Sequence, residues 1–208
     1  MKVFGHPMST CTRKVLTALA EKGEKPDFVV VDIMKGEGKT PEHLGRQPFG
    51  RVPAIDDDGF QLFESRAILR YIDETRGGGT KLHGEGAKGR AVVEQWVSVE
   101  TSEFTPQAMK IIYEKFFHPM MGKPTDEAVV AAARTALEKV CATMETQLGK
   151  TEYIAGNTFT IADIGFMPYI EYLFAAGQGD LFEKFPKTLA WWKRISERSS
   201  WKTATGKG

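Results

Sequence analysis

The run His6-Pro7-Met8-Ser9-Thr10-Cys11-Thr12-Arg13 brings hydroxyls and a thiol to the point where a short strand gives way to a helix. A Ser or Thr at such a junction serves as an N-cap, accepting a bond from an otherwise unpaired backbone N–H. The same junction favours negative charge, because the free N–H groups and the helix dipole are positive there. A free thiol ionises near pH ~8.5, so only a few per cent is thiolate at neutral pH. A serine hydroxyl donating to a sulfur at this place would stabilise the thiolate, at about 1.4 kcal/mol per unit of pKa lowering. Ser9 is therefore open to two readings, helix cap and thiolate donor.

Two further segments suit a charged, extended ligand. Val52-Pro53 interrupts a strand-like run. Proline removes a ladder donor, so it belongs at an edge or turn. It is either an ordinary edge proline or a place where an extended peptide pairs with the Val52 backbone, next to a cis or trans bond. Glu64-Ser65 opens another helix. Both residues can simply cap it. Alternatively, the Ser65 hydroxyl and the free N–H groups hold a carboxylate while Glu64 holds an ammonium, the two ends of an amino-acid group. Lys39 and Arg51 are candidates for a further carboxylate, though each alone reads as a solvated surface charge.

These segments need elements to hold them. Lys2–Phe4 reads as a strand, and Val15, Leu16, Leu19 and Ala20 recur at helical spacing up to Gly23. Phe28–Val31 is β-branched and reads as a buried strand. Val52–Ile55, Asp58-Gly59 and Phe60–Leu62 form a hairpin signal, followed by a helix from Glu64 to Asp73. The order βαβ, an irregular stretch, then ββα implies a small sheet with helices packed on it. Beyond a glycine-rich stretch the texture is helical only. Long helices begin near Val92 and span Val129–Leu148, with others around Ile161–Leu173 and Leu189–Ile195. The expected organisation is an α/β domain over 1–78, a linker over 79–86 and an all-α domain over 87–208. Gly84–Gly89 spells GxGxxG but follows a linker, not a strand, so it reads as chance.

The formal net charge is +1, which gives no reason to expect a nucleic-acid or membrane partner. Cys11 and Cys141 make neither a disulfide framework nor a metal pattern, which fits a reduced, cytoplasmic protein without metal. No apolar run resembles a signal peptide or approaches the ~20 residues of a membrane span.

Taken in order, His6–Val15, Gln47–Ala54, Leu62–Ile68, Phe159–Asp163 and Trp191-Trp192 with Trp201-Lys202 resemble the cytosolic glutathione transferases, most closely the phi class. The resemblance implies a thioredoxin-like N-terminal domain that binds glutathione and a helical C-terminal domain that completes an electrophile pocket, usually in a homodimer. It implies that Ser9 stabilises the glutathione thiolate. Val52, before a cis Pro53, pairs with the cysteinyl backbone. Glu64 and Ser65 hold the γ-glutamyl end, and Lys39 meets the glycyl carboxylate. Thr160 to Asp163 resembles the family's buried capping box, a folding feature. Met8, Phe104, Met109, Ile112, Tyr113, Phe116, Phe117 and Phe166 are candidates for the electrophile pocket.

The chain departs from the phi pattern in two places. Gly38 stands where a histidine is usual, and Arg51 where a glutamine is usual. Arg51 can supply a charge-assisted bond to the glycyl carboxylate in place of the missing imidazole. Cys11 offers a competing thiol chemistry but lies two residues past Ser9, and is expected to pack inward. Phe49 is either an anchor buried within one subunit or a plug for a partner subunit. The reaction implied is addition or substitution by a glutathione thiolate on a hydrophobic electrophile. Glutathione-dependent peroxide reduction and a non-catalytic carrier are the alternatives.

Overall fold

The computed structural model describes residues 1–207. Its first part runs β1 (Lys2–Gly5), α1 (Thr10–Glu21), β2 (Asp27–Val30), α2 (Pro41–Arg46), β3 (Ala54–Asp57), β4 (Phe60–Phe63) and α3 (Ser65–Thr75). The sheet order is β2-β1-β3-β4, with β1 parallel to β2 and antiparallel to β3. This is the thioredoxin-like arrangement of a mixed four-stranded sheet with helices on it. The β3–β4 hairpin turns at Asp58 and Gly59, with φ of 54° and 92°. Two consecutive positive φ values are what an Asp-Gly pair supplies in a two-residue hairpin. Val15 and Leu19 on α1 and Ile68, Leu69 and Ile72 on α3 are essentially fully buried with Val3 and Ile55.

One strand differs from expectation. The run from Phe28 is an edge strand, paired only with β1, and Val30 is 54% exposed. A β-branched run signals extended backbone but does not say how many neighbours the strand has.

The glycine-rich stretch is docked at its start. A Cβ on Gly79 would lie 1.9 Å from the Glu21 carbonyl oxygen, and one on Gly78 would lie 2.6 Å from that of Lys22. Leu82 is fully buried. The N–H groups of Leu82 and His83 donate to the Asp73 carboxylate at 2.7 and 2.9 Å, and Lys22 Nζ lies 2.6 Å from it. Burial raises the Asp73 carboxyl, but these bonds outweigh it and hold the group below its usual range.

Packing divides the chain into Met1–His83 with the residues from Arg198 onward, and Gly84–Glu197. Helix α11 (Ser199–Thr205) thus belongs with the α/β unit, although the sequence was expected to be all helical domain from 87 to its end. The physical reason is its contact with α1. Glu21 accepts Arg198 Nε and Nη2 at 2.7 Å each and Thr80 Oγ1 at 3.3 Å, and also the Ser200 hydroxyl. Burial raises the Glu21 carboxyl, yet the bonds from Arg198, Ser200 and Thr80 hold it below its ordinary value. A depressed folded-state pKa gives stability that is present above the unfolded value, near 4.5, and lost as pH falls through the folded one. Glu21→Gln is expected to cost about 2 kcal/mol at neutral pH and less at acid pH. Urea unfolding of both proteins across that range checks this.

The second unit contains α4 (Gly86–Val99), α5 (Thr105–Ile112), α6 (His118–Met120), α7 (Glu127–Leu148), α8 (Ile161–Ala175), α9 (Asp180–Glu183) and α10 (Pro186–Ser196). The long helix starting near Val92 is interrupted by two π turns, Glu100–Phe104 and Tyr113–Phe117. Such turns insert a residue into the ladder and leave no simple period in the sequence. Gly84 and Gly89 touch through backbone at the start of α4, with no strand before them. Helix α8 is buried on almost every side, as an all-round apolar helix must be. Its start carries the expected capping box. Asp163 is fully buried and accepts Ile154 N, Thr160 N, Thr160 Oγ1 and Trp191 Nε1 at 3.0, 2.8, 3.1 and 2.8 Å. Burial pushes its carboxyl above the usual range, against the pull of those donors. Among the described residues, no helix is long and apolar enough to cross a membrane.

Candidate functional site

Sheet register brings the three segments to one end of the α/β unit. Phe4 on β1 faces Ala54 on β3, and Ala54 in turn faces Phe63 on β4. The chain leaves β1 for Ser9, enters β3 from Val52-Pro53, and leaves β4 for Glu64-Ser65. All three therefore open at the same end of the sheet. Alternation of strand direction alone accomplishes this.

Ser9 is the N-cap of α1, and its Oγ accepts the Thr12 N–H at 3.2 Å. A hydroxyl has one donor and two acceptor sites, so capping leaves the proton available to donate elsewhere. The two readings of Ser9 are compatible. Thr12 in turn takes the His6 N–H on its own hydroxyl at 3.3 Å, tying the turn to the helix. Gly5 is required here, since a Cβ would meet the Thr12 methyl at 2.5 Å.

At α3, Glu64 has φ 70° and ψ 107°, a left-handed conformation costly for a residue with a side chain. It makes no side-chain cap bond, so its carboxylate does not occupy the helix start. Ser65 is buried, while Glu64 is exposed. The Glu64 side chain thus does not cap this eleven-residue helix, whose first turn carries no acidic residue.

The Val52-Pro53 peptide is cis. The loop before it is held from several sides. Gln47 Oε1 accepts Phe49 N at 2.7 Å and Arg51 N at 3.1 Å. His43 Nε2 lies 2.7 Å from the Arg51 carbonyl oxygen, which can only accept, so Nε2 carries the proton. A Cβ on Gly38 would sit 2.6 Å from the Gly50 carbonyl oxygen, and one on Gly50 would sit 2.8 Å from that of Gly38 and 3.4 Å from Lys39 Nζ. The missing imidazole at position 38 thus coincides with a direct backbone contact between two loops. Lys39 and Arg51 flank it, both exposed, and neither has an acidic partner among the described residues.

The helical-unit candidates separate into two groups. Phe104, Ile112 and Phe166 are completely buried, and the rings of Phe104 and Phe166 pack edge to face at 5.0 Å. They are core positions of that unit, not open lining, because aromatic residues at helical spacing serve a core equally well. Tyr113 is half exposed, and Phe116 and Phe117 are half-buried around Tyr172 at 5.0 and 5.9 Å. Met109 is half-buried. In the α/β unit Met8 is exposed beside Ser9.

His43 and Gln47 were not among the sequence candidates. His43 is 2% exposed, and its Nδ1 is buried without a hydrogen-bond partner among the described residues. An orphaned buried acceptor costs about 1–3 kcal/mol. The local signal for α2 was present in Thr40-Pro41, an N-cap followed by proline at the first helical position. Nothing in the sequence marked the imidazole itself. Cys11, expected to pack inward, is half-buried near Thr10 Oγ1. The Cys141 thiol is pushed up to about 12 by burial, with Glu138 and Glu145 adding to the shift, and is inert as a nucleophile.

Residues 1–74 match the family model for the glutathione S-transferase N-terminal domain, and residues 104–199 match that for the C-terminal domain. Glutathione S-transferase F10 of Arabidopsis thaliana is 38% identical over 203 residues, covering 97% of this chain and 94% of the relative. The crystal structure of glutathione transferase F2 from Populus trichocarpa superposes with a TM-score of 0.95 at 38% identity, covering 100% and 99% of the two chains. The maize glutathione S-transferase I, solved in complex with an atrazine glutathione conjugate, superposes at 0.92 with 33% identity, covering 99% and 96%. With both domain models matched and full-length relatives well above 30% identity, the chain belongs to the glutathione S-transferases, in their phi class, and is an enzyme of that kind.

Proposed function

We propose that this transferase joins the glutathione sulfur to hydrophobic electrophiles, with the Ser9 hydroxyl donating to the thiolate. The observation that carries the reading is the Ser9 cap bond, in which the oxygen accepts and the proton is left for a sulfur at the α1 N-terminus. The thiolate attacks an electrophilic carbon, the C–S bond forms, and a leaving group such as chloride departs with its electron pair. Where the electrophile adds instead, the carbon takes a proton from water. Positioning and thiolate stabilisation supply the rate enhancement.

In this reading the Val52 backbone pairs with the cysteinyl unit of glutathione. The free N–H groups at α3 and the Ser65 hydroxyl receive the γ-glutamyl carboxylate, and Glu64 takes its ammonium. Lys39 and Arg51 face the glycyl carboxylate. In the helical unit the electrophile candidates outside the sealed core are the exposed Tyr113 and the half-buried Phe116 and Phe117, and in the α/β unit Met8 is the exposed neighbour of Ser9. The maize relative's atrazine conjugate supports an aromatic chloride as a representative electrophile. Turnover of glutathione with a chlorinated aromatic tests the reading. Glutathione binding without turnover would favour the carrier alternative, and turnover only with an organic hydroperoxide the peroxidase one.

A cytosolic homodimer is the setting proposed for this activity. Phe49 is 61% exposed and touches Phe63 only edge on at 6.2 Å, so it is not an anchor buried within its own subunit. Phe49→Ser is expected to shift the dimer toward monomer by at least tenfold in dissociation constant. Sedimentation equilibrium of both proteins measures this.

A further inference from the structure

The grip on Arg51 carries a role that the proposed chemistry does not assign. The backbone of Arg51 is held at both ends by side chains of one segment, its N–H by Gln47 and its carbonyl by His43. Both gripping residues are 2% exposed. The imidazole makes no other side-chain bond, because its Nδ1 is buried and unpartnered. A histidine kept for packing alone would be better replaced by an aliphatic residue. The grip acts where Gly38 and Gly50 meet backbone to backbone and where, among the described residues, Lys39 and Arg51 stand without acidic partners.

We propose that His43 is a positioning residue that fixes the Arg51 carbonyl, and through it sets the chain's selectivity for thiol peptides ending in a free carboxylate. The proposal rests on the reading of Lys39 and Arg51 as the glycyl-carboxylate side of the site. Holding the N–H and the carbonyl fixes the backbone on both sides of the Arg51 Cα, and with it the point from which the side chain starts. Loss of the carbonyl bond frees the loop backbone that carries Arg51, and in this proposal the carboxylate then meets one well-placed cation instead of two. Selectivity between a carboxylate and its neutral ester is the property that two converging cations create.

The test measures KM and kcat for glutathione and for its glycyl ethyl ester, with a chlorinated aromatic held saturating. The proteins are wild type, His43→Leu, His43→Gln, Gln47→Met and Arg51→Gln. His43→Leu is expected to raise KM for glutathione about tenfold, with kcat within about twofold and the ester KM little changed. Arg51→Gln should give the same loss of preference. His43→Gln, whose amide can still donate, should restore most of it. If His43→Leu does not fold, Gln47→Met removes the other half of the grip and should reduce the same preference. A preference intact in His43→Leu, or an equal rise in KM for acid and ester, overturns the role of His43. A wild type that uses the ester as well as glutathione overturns the carboxylate assignment as well, which separates the two failures.

Discussion

Ser9→Ala is expected to lower kcat/KM for conjugation of a chlorinated aromatic by about 10- to 100-fold. A hydrogen bond to a charged group contributes about 1.5–3 kcal/mol, and 1.4 kcal/mol is tenfold. The same substitution removes the α1 cap bond from Thr12 N, which costs about 1 kcal/mol of stability. The two losses separate with a second variant. Glycine at an N-cap is only a few tenths of a kcal/mol worse than serine, so Ser9→Gly should keep stability and lose activity like Ser9→Ala. Ser9→Thr keeps the hydroxyl and should retain activity within about tenfold. If Ser9→Gly kept wild-type turnover, Ser9 would be a cap and nothing more. Steady-state rates and thermal unfolding on the same preparations decide it.

The largest expected effect on stability lies far along the chain. Asp163→Ala removes the acceptor for Ile154 N, Thr160 N, Thr160 Oγ1 and Trp191 Nε1 in a fully buried place. Several orphaned donors at about 1–3 kcal/mol each, partly relieved by relaxation, give a loss of about 4 kcal/mol. For a chain of this size that is a fall of roughly 10 °C or more in Tm. Asp163→Asn keeps one carbonyl oxygen and should cost less. The rate per folded molecule should stay within about twofold, because Asp163 organises α8 and Trp191 and has no part in the proposed chemistry. Calorimetry with active-site titration checks both statements. An unchanged Tm with lost activity would give Asp163 a different role.

Much of the fold could be read from residue types. Asp58-Gly59 specified the hairpin because two positive φ values have few suppliers. Thr160 to Asp163 specified a helix start because a hydroxyl and a carboxylate at that spacing satisfy donors reciprocally. The segments around Ser9, Val52-Pro53 and Glu64-Ser65 were each as good as caps or edges when taken singly. Strand direction and register made them converge, and pairing across a sheet is a long-range property that no local run carries. The edge position of β2 was hidden for the same reason. The π turns at Glu100 and Tyr113 were hidden because an inserted residue erases the period that marks a helix. His43 was invisible because a lone histidine in a short helix has many uses, and only its bond to Arg51 selects one. The departure at Gly38 gained a physical cause in the contact with Gly50, which leaves no room for a Cβ.

The most direct measurement is the ionisation of bound glutathione, followed by the ultraviolet absorbance of the thiolate as pH is varied. A Cys11→Ala background removes the half-buried protein thiol from the signal. With Ser9 present, the bound thiol is expected to titrate at least about one unit below the ~8.5 of a free thiol. With Ser9→Ala, it should return most of the way to the free value. Bound glutathione that titrates alike in both proteins would contradict the assignment of the Ser9 hydroxyl to the thiolate.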